Sequence, residues 1–183
     1  MIDIHALEPA IDPNGRPTFL LDWELTLKCN LDCSYCGDNL DSGGHYTKAK
    51  HPPLNECLKT IDFMFQYVDL YMQYKPKWTK AVVLNIYGGE SLIHPDIVEI
   101  LKAVNRKYQY YKEKWPLKIT CTTNGIIGRR RMNQIVDLIE EFTVSYHCEN
   151  LPKQKQQFFN KWFVRTNRAW FDGVVCYSRP IGS

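Results

Sequence analysis

The 183-residue sequence carries no apolar run long enough to cross a membrane as a helix, which excludes a helical membrane span within it. It also lacks a charge excess: 23 basic and 20 acidic residues leave a formal net charge of +3, too weak a field to argue for nucleic acid. Arg129, Arg130 and Arg131 form the one tight basic cluster, read as a solvated turn ahead of a helical pattern. No internal repeat and no low-complexity stretch occurs. The first residues, MIDIHALEPAIDPNG, have neither a basic segment nor an apolar one of the secretory kind. Seven cysteines is an odd number, and Cys57, Cys121, Cys148 and Cys176 are scattered singly, so a disulfide framework is not indicated. The expected compartment is the reducing cytoplasm.

What is present suffices for one core. With 44% hydrophobic and 23% charged residues, the chain reads as a single domain over 1–183, with an N-terminal extension at 1–18 and a poorly matched tail at 151–183. Strand and helix patterns alternate. Residues 19–28 form a first strand that runs directly into a cysteine-bearing loop, and a polar stretch follows as far as Pro52 and Pro53. Leu54, Cys57, Leu58, Ile61, Met64, Phe65, Val68 and Met72 repeat at helical spacing and predict a helix over 54–74, with Cys57 as a core thiol. A second strand spans 81–87 and stops at Gly88-Gly89-Glu90; His94-Pro95-Asp96 opens a second helix through Ile97, Ile100, Leu101, Val104 and Tyr108. A third strand spans 117–124, a third helix lies over 132–142 and a fourth strand covers 142–148. A further helix over 152–170 and a short strand at DGVVCYS complete the reading.

Long crossovers between strands are what parallel neighbours require, so the expected class is α/β, a partial parallel (β/α) barrel of about four to five βα units. Read by twos, the strands set Trp23, Leu25 and Leu27 against Glu24, Thr26 and Lys28, and Val82, Leu84 and Ile86 against Asn85 and Tyr87. The later strands set Ile119 and Cys121 against Thr120, Thr122 and Asn124, and Val144 and Tyr146 against Ser145 and His147. Helices cover the outer face of such a barrel, so the polar row points inward, where it suits a ligand better than a packed lumen.

The densest chemical signal is CNLDCSYCG, in which Cys29, Cys33 and Cys36 are spaced C-x3-C-x2-C. Three thiolates on one short loop can hold three irons of a 4Fe-4S cluster and leave the fourth iron open to a small molecule. A structural zinc site closes its tetrahedron with protein ligands instead. His45, His51 or Cys57 could supply a fourth ligand, which leaves a non-catalytic zinc- or metal-binding interaction module as the alternative, although no second ligand pair stands at zinc-ribbon spacing.

Cys29-x3-Cys33-x2-Cys36, with Tyr35 before the last cysteine and Tyr87-Gly88-Gly89-Glu90 one βα unit later, resembles the radical S-adenosylmethionine (radical SAM) superfamily. The resemblance covers about residues 20–150. It implies an enzyme in which a 4Fe-4S cluster on Cys29, Cys33 and Cys36 reductively cleaves S-adenosylmethionine (SAM) to a 5'-deoxyadenosyl radical that abstracts hydrogen from a substrate. It further implies that Gly88, Gly89 and Glu90 bind the methionyl ammonium, with the Glu90 carboxylate adding negative charge, and that Tyr35 packs near the adenine. Thr123-Asn124-Gly125 looks like a family turn near SAM, and Ser145 and His147 stand where relatives contact the ribose or carboxylate. The implied partners are an electron donor such as flavodoxin or ferredoxin and an unknown substrate, a peptide or a small molecule.

Overall fold

The computed structural model describes residues 10–11, 17–31, 33, 49–74 and 81–145, and only the backbone of residues 10, 11 and 17. One sheet of 5 strands organises them: β1 (Ala10–Ile11), β2 (Pro17–Thr26), β3 (Ala81–Gly88), β4 (Leu117–Thr123) and β5 (Glu141–Val144). The strands lie side by side in chain order. β1 pairs antiparallel with β2 at one edge, and the pairings from β2 to β5 are all parallel. Helices α1 (Leu54–Tyr74), α2 (Ile97–Tyr111) and α3 (Arg129–Ile135) make the crossovers. A doubly wound sheet reverses its strand order at a switch point; this one never reverses among the described strands, the order of a barrel wall.

The alternation of the strands explains which face the helices take. Trp23, Ile86, Cys121 and Phe142 are register partners across all four parallel strands, and each is buried. They share one core with Ile61, Phe65 and Val68 of α1, Ile100 and Val104 of α2, and Met132 and Ile135 of α3. Each fully buried aliphatic chain here contributes about 1.5–3 kcal/mol relative to exposure, so this face fixes the register. On the opposite face the partners one residue earlier are Asp22, Asn85, Thr120 and Glu141. The Asn85 amide donates to Asp22 Oδ1 at 2.8 Å, and Thr120 Oγ1 donates to Asn85 Oδ1 at 3.2 Å. Asn85 and Thr120 of the expected polar row thus lie side by side on this face, flanked by Asp22 and Glu141, which the sequence reading had not placed there.

Three expectations need correction. The register of β2 against β3 slips between Glu24 and Thr26, so two residues of β2 advance against one of β3. The extra residue inverts the alternation: Thr26 is 3% exposed and Leu27 is 40% exposed, the reverse of their expected roles. The third helix begins at Arg129 rather than Met132 and gives way to a 3-10 turn at Val136–Leu138, with Glu141 and Phe142 already in β5. The three arginines are thus the first turn of α3, and Arg131 is anchored by donating to the carbonyl oxygens of Leu92 and His94 at 3.3 and 3.0 Å. Asn124 follows the end of β4 and is 3% exposed, so it is no member of the polar row. Tyr146, His147 and everything from 148 onward lie outside the described residues.

Candidate functional site

β2 delivers the chain to Cys29, and the two described cysteines of the loop are both buried. Cys29 is 8% exposed and Cys33 7%, and with Leu31 they make a small apolar cluster separate from the main core, against which Ile126 packs. The Leu31 backbone N–H donates to Cys29 Sγ at 3.4 Å. Tyr35 and Cys36 lie outside the described residues, and among the described residues no group of three or more potential metal ligands gathers.

The glycines at the end of β3 have a reason internal to the fold. Gly88 adopts φ 136°, a conformation that side chains rarely take. A Cβ there would lie 2.1 Å from the Thr26 carbonyl oxygen, and one on Gly89 would lie 2.4 Å from that of Leu27. The gap is closed by hydrogen bonds: Gly89 N–H donates to Thr26 O at 2.7 Å and Glu90 N–H to Lys28 O at 2.8 Å. Gly88 and Gly89 therefore let the backbone entering the cysteine loop lie directly on the end of β3.

Glu90, the third residue of the turn, is enclosed between the ends of β3 and β4. Its side chain has no exposed surface, and its oxygens are taken by three protein donors: Leu92 N–H at 3.2 Å, Thr123 Oγ1 at 2.8 Å and Asn124 N–H at 2.6 Å. The carboxylate braces the ends of β3 and β4, and burial raises its pKa to about 7 against the pull of those three hydrogen bonds.

Asn124 is likewise committed to the protein. Its Oδ1 accepts from Ile126 N–H at 2.8 Å; its Nδ2 donates to Asn30 Oδ1 at 2.8 Å and lies 3.8 Å from Cys29 Sγ. Asn30 Nδ2 donates in turn to the Ile126 carbonyl at 2.7 Å. This paired-amide clamp between the cysteine loop and the β4 turn was not foreseen; an asparagine directly after Cys29 was the available signal. Ser145 folds back on β4, its N–H and hydroxyl both directed to Thr123 O at 2.9 and 3.3 Å.

Two histidines link the end of β2 to the segments that lead into α1 and α2. His94 is fully buried, accepts from Asp96 N–H at Nδ1 and so carries its proton on Nε2, 2.9 Å from Pro52 O. Its ring meets that of His51 edge-on at 4.8 Å. His51 Nδ1 is 3.0 Å from Thr26 Oγ1, and burial, with His94 next in order, lowers its pKa. Neither His51 nor Cys57 joins the loop cysteines. Cys57 is 2% exposed within the main core, as expected. A cavity of about 470 Å³ beside β2 and the start of α1 is lined by Thr26, His51 and Cys57 among the described residues, and by neither loop cysteine.

The strands β2 to β5 run parallel in unbroken order, buried Cys29 and Cys33 follow the first of them, and the Gly-Gly-Glu turn at the end of β3 packs on the backbone of Thr26–Lys28. The sequence pattern of the Radical SAM superfamily matches residues 23–158, and the chain belongs to that superfamily. The family's cofactors are a 4Fe-4S cluster and SAM, and its enzymes need an electron donor. Two of the three cysteines, Cys29 and Cys33, are described, and buried thiols in a small apolar shell are of the kind iron–sulfur centres use.

Among individual relatives, GTP 3',8-cyclase of Aquifex aeolicus (strain VF5) is 27% identical over 152 residues, covering 82% of this chain and 42% of that protein. GTP 3',8-cyclase of Clostridium perfringens (strain SM101 / Type A) is 28% identical over 141 residues, covering 71% of this chain and 38% of that protein. The chain thus spans well under half the length of these relatives. A solved structure of native anSMEcpe with bound AdoMet superposes with a TM-score of 0.47 at 18% identity, over 77% of this chain and 40% of that one. Native anSMEcpe with bound AdoMet and Cp18Cys peptide gives 0.44 at 21% identity, over 70% and 31%. Among the described residues no helix is long and apolar enough to cross a membrane.

Proposed function

We propose that this chain is a single core domain, 1–183, of a cytoplasmic radical SAM enzyme in which Cys29, Cys33 and Cys36 hold the 4Fe-4S cluster and SAM occupies the remaining iron. When bound, that pair would supply a 5'-deoxyadenosyl radical, formed by one-electron cleavage of the sulfonium, which takes a hydrogen atom from the substrate. The observation that supports this reading is the direct stacking of Gly88 and Gly89 on the backbone of Thr26–Lys28, because it sets the Gly-Gly turn against the chain that leads into Cys29. Backbone groups of Gly88 and Gly89 meet the methionyl ammonium; Tyr35 packs on the adenine, and Ser145 and His147 line the mouth. Glu90 and Asn124 serve this site by holding its walls rather than by touching SAM. Flavodoxin or ferredoxin supplies the electron.

The substrate is sought among peptides and small molecules, with GTP included because the curated relatives are GTP 3',8-cyclases. The test is anaerobic reconstitution with iron and sulfide, then detection of 5'-deoxyadenosine after reduction in the presence of SAM. A brown protein that forms 5'-deoxyadenosine, and a Cys33→Ala variant that does neither, is the expected result. A colourless protein that takes up one zinc in place of iron would overturn it.

A further inference from the structure

Cys29 has two N–H groups trained on its sulfur: the Leu31 backbone at 3.4 Å and the Asn124 carboxamide at 3.8 Å. The second is held with little freedom. Glu90 Oε2 accepts from the Asn124 backbone N–H at 2.6 Å, and Asn124 Oδ1 is occupied by Ile126 N–H at 2.8 Å. Because Oδ1 must face that donor, Nδ2 must face the sulfur side. The opposing amide is set the same way, since Asn30 Nδ2 donates to Ile126 O and leaves Oδ1 to accept from Asn124. Both orientations thus follow from backbone partners. Asn124 is 3% and Cys29 8% exposed, and Leu31 and Ile126 wall the contact, so water competes weakly and the low local dielectric strengthens the dipole's effect.

We infer that Asn124 is a positioning residue whose side-chain N–H donates to the Cys29 sulfur and thereby raises the reduction potential of the cluster. The inference rests on the assignment of Cys29 as a cluster ligand. Reduction adds an electron to the iron–sulfur unit and so adds negative charge to its sulfurs. An N–H dipole aimed at one of them favours the reduced state, and hydrogen bonds to the sulfurs are among the main determinants of potential. A neutral carboxamide does this without attracting a counter-ion. Glu90, two interactions away, acts only by fixing the β4 turn.

The experiment is a redox titration, followed by electron paramagnetic resonance, of the reconstituted full chain and of its Asn124→Ala and Asn124→Asp variants. Asn124→Ala removes the donor without adding charge. Asn124→Asp keeps the acceptor for Ile126 N–H, and so preserves the turn if alanine does not fold. At a fixed poise, loss of the donor should lower the reduced-to-oxidised ratio roughly tenfold, about 59 mV for one electron. In the wild-type protein, labelling asparagine with nitrogen-15 should also give a hyperfine coupling from a side-chain nitrogen to the reduced cluster. A purely structural Asn124 would give neither. Wild-type protein that binds no cluster would fail the ligand assignment itself and the inference with it. Wild-type protein that binds one, with no asparagine coupling or with unshifted potentials in the variants, would overturn the inference alone.

Discussion

At the scale of single residues, Glu90 is a buried carboxyl group held by three protein donors. Its carboxyl is buried and its pKa raised to about 7 from the usual 4.5, burial outweighing the donors from Asn124, Thr123 and Leu92. A raised pKa in the folded state means the folded chain holds the proton more tightly than the unfolded chain. The associated stability is therefore complete below about pH 4.5 and is lost as pH rises through about 7. The full swing is on the order of 3 kcal/mol. Urea titrations of the apoprotein from pH 4.5 to 8 should show this decline in the wild type and not in Glu90→Gln, so the difference curve isolates Glu90 from Glu140, whose pKa burial also raises. Parallel curves would mean that Glu90 does not titrate in this window. The positions of Glu90 and Asn124 directly after strands were legible in the sequence, because glycine and asparagine turns mark where those strands end. Their bonds to one another were not legible, because nothing in a one-dimensional pattern says that β3 and β4 end close enough for one carboxylate to reach both.

Elements were the most legible level. α1 matches its expected limits of 54–74, since its apolar stripe repeats without interruption over 21 residues. α3 was misplaced because its first turn, Arg129–Arg131, carries three charges and no apolar residue; tertiary anchoring of Arg131 to Leu92 O and His94 O compensates for cations at a helix N-terminus. The β2–β3 junction gives the sharpest test at this scale. Gly88→Ala puts a methyl group 2.1 Å from the Thr26 carbonyl oxygen at φ 136°, so the strands must part or the turn must strain. Chemical denaturation should show a loss of roughly 3 kcal/mol or more. Gly128→Ala meets no atom within 4 Å and should cost less than about 1 kcal/mol. Equal effects at the two positions would mean that the close approach is not what Gly88 is for.

At the scale of the whole molecule, the sequential sheet gathers Cys29, Cys33, Gly88, Gly89, Glu90 and Asn124 from three strand ends into one region, although they are spread over nearly 100 positions of the chain. Binding of the proposed cluster there would be linked to folding, since a site assembled from distant parts of the chain does not exist in the unfolded state. Reconstituted protein should melt at a higher temperature than the apoprotein, by an amount equivalent to about 4 kcal/mol if the free cofactor stands at a thousand times its dissociation constant. Calorimetry under anaerobic conditions measures this, and Cys29→Ser should remove the gain. An equal gain in that variant would place the bound iron elsewhere.

The slipped register near Leu25 also governs how the chain can vary. Because facing alternates with every residue, one additional residue resets the parity of all that follows on that strand, and a second one would restore it. The segment reaching Cys29 therefore tolerates length changes in steps of two but not of one. The single irregularity in β2 is thus a phase device: it decouples the side of the sheet on which the first strand is packed from the side to which it delivers the cysteine loop.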